Sequence, residues 1–265
     1  NPNPFMKLPL LLCLLVPVFL CAQETPLPPK EKFHLFVLAG QSNMAGRGEV
    51  SPDDRKPHPR VLMLDKAGHW VPAVATVHFD TTTVSGVGPG RAVGIALAEN
   101  NPDITIGLIP CAVGGSPIDT WKPGAFDEPT QTHPWDDAIK RVHASLTAGT
   151  LKGILWHQGE SDSKPKLAPA YADKLHDLVA RFRKEFSAPA VPFIAGQLGQ
   201  FPEKPWDEDR MLVNQAHQSL PKQVPHTAFV RSDGLKHKGD QVHFDAESAR
   251  ELGRRYAKAF LELQR

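Results

Sequence analysis

From about residue 33 to the end, short apolar runs alternate with longer stretches of helical periodicity, and this alternation is what most constrains the fold. The strand candidates are Phe33–Ala39, Val61–Leu64, Ile104–Ile109, Gly153–Trp156, Val191–Ala195 and Thr227–Val230. Between them lie helical patterns over Arg91–Glu99, Trp135–Ala148 and Glu208–Leu220. Tyr171, Leu175, Leu178, Val179, Phe182 and Phe186 recur at helical spacing, as one face of an amphipathic helix does. A last helix has Asp245 as its N-cap and Ala249, Leu252, Tyr256, Phe260 and Leu263 as its inner stripe. Strands separated by helices imply βαβ units, and hence a parallel sheet covered on both faces. No internal repeat interrupts the pattern, so 33–265 reads as a single α/β domain.

The N-terminus has a different character. Met6 and Lys7 precede an almost unbroken apolar run from Leu8 to Cys21, which ends in small or polar residues. One positive charge, an apolar stretch of this length and a small-residue exit form a secretory signal peptide, and the run is short of the roughly 20 residues of a membrane span. Residues 1–5 lie upstream of the start methionine. A buried N-terminal helix is the structural alternative, and a lipoprotein signal is disfavoured because Leu20 precedes Cys21. The expected division is 1–22 as signal and upstream residues, 23–32 as a Pro-rich charged linker, and 33–265 as the domain. Export places the product in the periplasm or outside the cell, with no membrane attachment after cleavage. Cleavage after Ala22 leaves Cys111 as the one cysteine, so the domain is held by its core and not by an internal disulfide.

Charge excludes one class of partner. Lys and Arg number 30 against 29 Asp and Glu, and the single charge in the first 22 residues is Lys7. The remaining chain is neutral and has no general basic field for a phosphate backbone, which argues against nucleic acid.

In open α/β sheets the chemistry gathers at the carboxyl ends of the strands. Four such places carry unusual residues. Gly40-Gln41-Ser42-Asn43-Met44 follows the first strand and presents a serine on a tight turn, although a serine there also serves as an ordinary N-cap. Gly114-Gly115-Ser116 follows the Ile104–Ile109 strand, where paired glycines let backbone approach a ligand. Trp156-His157-Gln158-Gly159-Glu160-Ser161-Asp162 ends a buried strand with polar groups that need partners. Finally Asp240-x-x-His243 lies just before the last helix, at a spacing that lets the carboxylate fix the imidazole tautomer.

These four blocks, in this order, resemble the SGNH-hydrolase superfamily. The closer resemblance is to its sialate O-acetylesterase-like branch, which includes carbohydrate esterase family 6 and its acetyl xylan esterases. The resemblance implies a flavodoxin-like three-layer α/β/α sandwich with a central parallel sheet, cofactor-free and metal-free ester hydrolysis, and acetylated carbohydrate substrates. It implies Ser42 as nucleophile and His243 as general base. The oxyanion hole would comprise the Ser42 and Gly115 N–H groups and a donor from Gln158, with Gln41, Asn43 and Trp121 binding substrate. Gln41 stands where the wider superfamily has Asp, and Gln158-Gly159-Glu160 where it has Asn. Either Asp240 or the rival Glu160 orients His243, and the local three-residue spacing favours Asp240.

Two other readings compete. A catalytically inactive carbohydrate-binding domain would keep the glycines and Trp121, but would not need a serine together with an Asp-His pair. A lipase-like esterase would need an apolar tunnel that no loop sequence supplies. Trp121 and Trp135 suit core packing as well as sugar stacking. Paired His/Asp clusters at metal-ligand spacing do not occur, which disfavours a metallohydrolase.

Overall fold

The computed structural model describes residues 26–79 and 83–265. The expected signal segment therefore lies outside the described residues. The strands are β1 (Phe33–Gly40), β2 (Val61–Leu64), β3 (Trp70–Pro72), β4 (Thr105–Pro110), β5 (Thr150–His157), β6 (Phe193–Gly196) and β7 (Thr227–Val230). The helices are α1 (Ser42–Ala45), α2 (Pro89–Asn100), α3 (Pro134–Ser145), α4 (Tyr171–Glu185), α5 (Glu208–Gln223) and α6 (Ala246–Leu263).

All seven strands join one sheet in the order β3-β2-β4-β1-β5-β6-β7. Every neighbouring pair is parallel except β2 with β3. Setting aside the β2–β3 pair at the edge leaves β4-β1-β5-β6-β7, the doubly wound flavodoxin order. The expected three-layer sandwich is thus the one observed, with one antiparallel edge strand added.

Central β1 explains why the layers form. Its side chains alternate between the two faces, so Leu35, Val37 and Ala39 join one core cluster while Phe36 and Leu38 join the other. The first cluster takes its helical side chains from α3, α4 and α5, and the second from α1, α2 and α6. A strand buried on both faces has no polar alternation, hence the continuous apolar run. Helix α4 buries Tyr171, Leu175, Leu178, Val179 and Phe182, and α6 buries Ala249, Leu252, Tyr256 and Phe260. Asp245 caps α6, its carboxylate accepting from the Ser248 N–H at 2.7 Å.

In this winding the chain reverses direction across the sheet at β1 and β5, and the crevice opens at their carboxyl ends. Gly40 closes β1 at φ +124°, where a Cβ would lie 2.1 Å from the His157 carbonyl oxygen. Glycine lets β1 end hard against β5 and turn at once into Gln41 and Ser42.

Candidate active site

Ser42 opens α1 at the end of β1, and His243 comes from the loop before α6. Ser42 Oγ lies 2.9 Å from His243 Nε2, and His243 Nδ1 lies 2.7 Å from Asp240 Oδ2. The other oxygen of Asp240 accepts the backbone N–H groups of Val242 at 3.0 Å and His243 at 2.8 Å. Burial raises the Asp240 carboxyl, but these hydrogen bonds and the facing imidazole outweigh it and carry the group down to about 2. An ionised Asp240 only accepts, so it holds the proton on Nδ1 and leaves Nε2 to accept from the Ser42 hydroxyl.

The His243 loop is tied down at several points. The Lys238 N–H donates to the His243 carbonyl at 2.9 Å, and the Asp245 N–H to the Lys236 carbonyl at 3.0 Å. Asn43, beside the serine, holds it from the opposite end of the chain. Its Oδ1 accepts from the Phe244 N–H at 3.1 Å, while Nδ2 donates to the Val242 carbonyl at 3.1 Å and to Glu160 Oε1 at 2.6 Å. Asn43 is buried with its amide committed, so it fastens the histidine loop to β1 and does not face substrate as expected. Glu160 meets Asn43 and makes no hydrogen bond to His243 among the described residues. Of the two rival acids, Asp240 is the one on the imidazole.

Gly114 and Gly115 are the central residues of a turn in which the Ser116 N–H donates to the Val113 carbonyl at 3.3 Å. Gly115 has φ +78°, the glycine-favouring position of a type II turn. Neither the Ser42 nor the Gly115 N–H has a hydrogen-bond partner among the described residues.

Two expected substrate contacts are instead interior. Gln158 is fully buried: Nε2 donates to the Ser116 carbonyl at 3.2 Å and to Asp162 Oδ2 at 2.5 Å, and Oε1 accepts from the Tyr171 hydroxyl at 2.7 Å. Its amide is consumed inside the core and offers no oxyanion donor. Trp121 is also fully buried, edge-on to Trp156 at 5.1 Å, with its Nε1–H on Ser116 Oγ at 3.1 Å. It supports the glycine turn from beneath, and Trp135 packs in the same core.

Two members of this interior layer, Tyr171 and His217, carry no functional expectation from the sequence. Burial pushes Asp162 up and His157 down, and takes His217 down to about 3. Tyr171 bridges Gln158 to His217, its hydroxyl 2.9 Å from His217 Nε2. The one available signal was Tyr171 itself, a hydroxyl placed in an otherwise apolar helical stripe.

Gln41 is buried too, but its amide is only half used. Oε1 accepts the Gly159 and Ser161 N–H groups, each at 3.3 Å, and Nε2 has no hydrogen-bond partner among the described residues. No group of three or more His, Cys, Asp or Glu among the described residues is placed to hold a metal.

A serine, a histidine and an aspartate thus meet at the switch point of a doubly wound sheet, the fold of SGNH-like hydrolases. Residues 32–262 match the family described as carbohydrate esterase, sialic acid-specific acetylesterase. The chain belongs to this family and is a carbohydrate O-acetylesterase. A probable carbohydrate esterase of Arabidopsis thaliana is 30% identical over 261 residues, which cover 90% of this chain and 93% of that protein. Its X-ray structure superposes with a TM-score of 0.76, over 89% of this chain and 99% of that one. NanS (18% identical, TM-score 0.73, covering 90% and 99%) shares the fold. So does a carbohydrate acetylesterase from Xanthomonas citri (19%, TM-score 0.67, covering 86% and 56%).

Proposed function

We propose that this chain removes O-acetyl groups from acetylated carbohydrates, of the xylan or sialic acid type, through an acetyl-enzyme formed on Ser42. The observation that carries this reading is the unbroken Asp240–His243–Ser42 line, at 2.7 and 2.9 Å. A serine hydroxyl is a weak nucleophile and needs a base within hydrogen-bond reach. His243 Nε2 takes the Ser42 proton as Oγ attacks the ester carbonyl, while Asp240 steadies the resulting imidazolium. The tetrahedral intermediate collapses, His243 protonates the departing sugar oxygen, and Ser42 keeps the acetyl group. Water, deprotonated by His243, then attacks the acetyl-enzyme; acetate leaves and Ser42 regains its proton.

The oxyanion needs donors about 2.7–3.1 Å away. The free N–H groups of Ser42 and Gly115 serve as two of them. With Gln158 turned inward, the third is Gln41 Nε2, which is anchored through its own oxygen beside the nucleophile. Residues 6–22 act as the export signal, so the enzyme works in the periplasm or outside the cell.

Ser42→Ala and His243→Ala are expected to abolish aryl acetate hydrolysis while circular dichroism stays unchanged. Normal turnover by either folded variant would remove the mechanism. Acetate release compared across acetylated xylan, acetylated sialic acid and aryl acetates would identify the carbohydrate.

A further inference from the structure

Ser161 lies one residue past Glu160, at the mouth of the crevice, and the mechanism above leaves it unused. Its Oγ donates to the Gly115 carbonyl at 2.7 Å, across 46 residues of sequence, while its own N–H donates to Gln41 Oε1 at 3.3 Å. A single serine thus joins the loops after β1, β4 and β5. Gly115 needs such a restraint. It is exposed, at φ +78°, and a Cβ built on it meets nothing within 4 Å. Of the bonds that grip the turn, those from Gln158 and Trp121 end on Ser116. The Ser161 hydroxyl is the side-chain bond that ends on Gly115 itself.

We propose that Ser161 is a positioning residue: by holding the Gly115 carbonyl it fixes the Gly115–Ser116 peptide, and with it the turn that carries the Gly115 N–H toward the oxyanion. The inference rests on the serine-esterase reading above. Through its N–H, Ser161 also fixes the oxygen of the Gln41 amide, so one residue aligns two of the three donors from outside the reacting atoms. A donor that must sit within a few tenths of an ångström of its target loses most of its effect when the turn or side chain that carries it is free to shift.

The test uses Ser161→Ala and Ser161→Thr, with an aryl acetate and a small alkyl boronic acid that bonds to Ser42 and places an oxygen in the oxyanion hole. Ser161→Ala is expected to lower kcat about tenfold, short of the 10²–10³ of a deleted donor, with KM unchanged. Boronate affinity should fall by a similar factor, and Ser161→Thr, which keeps the hydroxyl, should restore both. Unchanged kcat, or a lowered kcat with undiminished boronate affinity, would overturn the role. An equal loss in the threonine variant would do the same. Labelling by a fluorophosphonate separates this from failure of the parent reading: wild type and Ser161→Ala must both label at Ser42. If Ser42 does not label in active wild type, the serine mechanism fails; if it labels and the alanine variant is fully active, only the Ser161 proposal fails.

Discussion

Asp240 sits on the imidazole and Glu160 sits on Asn43, and the two carboxylates should separate cleanly on mutation. Asp240→Asn presents an N–H where an acceptor is needed and favours the wrong tautomer, so kcat is expected to drop by up to about 10⁴. Glu160→Gln keeps an oxygen that accepts from Asn43 and should cost far less; the reverse ranking in steady-state kinetics would make Glu160 the orienting acid. Gly115→Ala adds no clash but forces alanine into a left-handed conformation at about 1–2 kcal/mol. Lowered kcat together with a Tm lower by a few degrees is the outcome expected from paired kinetics and thermal melts. At this scale the sequence carried which side chains line up at the strand ends and not the direction of their neighbours. Ser42, His243 and Asp240 were legible because their motifs place them on strand-end loops. Gln158 and Asn43 belong to the same motifs, yet face inward, as does Trp121 outside them. Whether a polar side chain in a loop turns to solvent or core depends on the partners that folding brings, and Tyr171, Asp162 and Ser116 come from three separate segments.

Between elements, Asp54 joins the turn after the β1 loop to α6 through a bidentate pair with Arg250, at 3.0 and 2.7 Å. Burial raises its carboxyl, and the opposing hydrogen bonds from Arg250 and Ser51 bring it down to about 2. A carboxyl depressed on folding stabilises fully above its unfolded value near 4, and that contribution fades as pH falls through the folded value. Asp54→Asn should therefore cost about 2 kcal/mol at pH 7, shrinking toward nothing near pH 2, as urea melts at several pH values would show. The helix boundaries and the six parallel strands followed from periodicity and caps, within a residue or a few. The edge strand β3 did not, because three residues with Pro72 at the end are too short to display alternation. Helix α1, four residues long, was read as part of the loop for the same reason.

For the whole molecule, two properties of the closed core lead to simple measurements. Cys111 is buried, and burial pushes its thiol up to about 11. In a chain beginning at Gln23 it should resist a thiol reagent such as dithionitrobenzoate under native conditions and react stoichiometrically in denaturant; fast native labelling would show that the second loop opens. Acyl preference is the other. The described strand-end loops carry glycines and polar residues, and Trp121 lies beneath them in the core, so these loops offer no apolar lining for a long acyl chain. An aryl acetate is expected to exceed the octanoate in kcat/KM by at least about tenfold, roughly 1.4 kcal/mol, whereas equal rates would indicate a deep apolar pocket. Ser42 and His243 are 201 residues apart in the chain, just after the first strand and just before the last helix. Synthesis delivers the serine before, and the histidine after, the strands that flank β1. On the proposed mechanism, a product cut short before His243 would not hydrolyse an ester, however much of the sheet it assembles. Turnover would then report that the segments carrying Ser42 and His243 have both been made and have met.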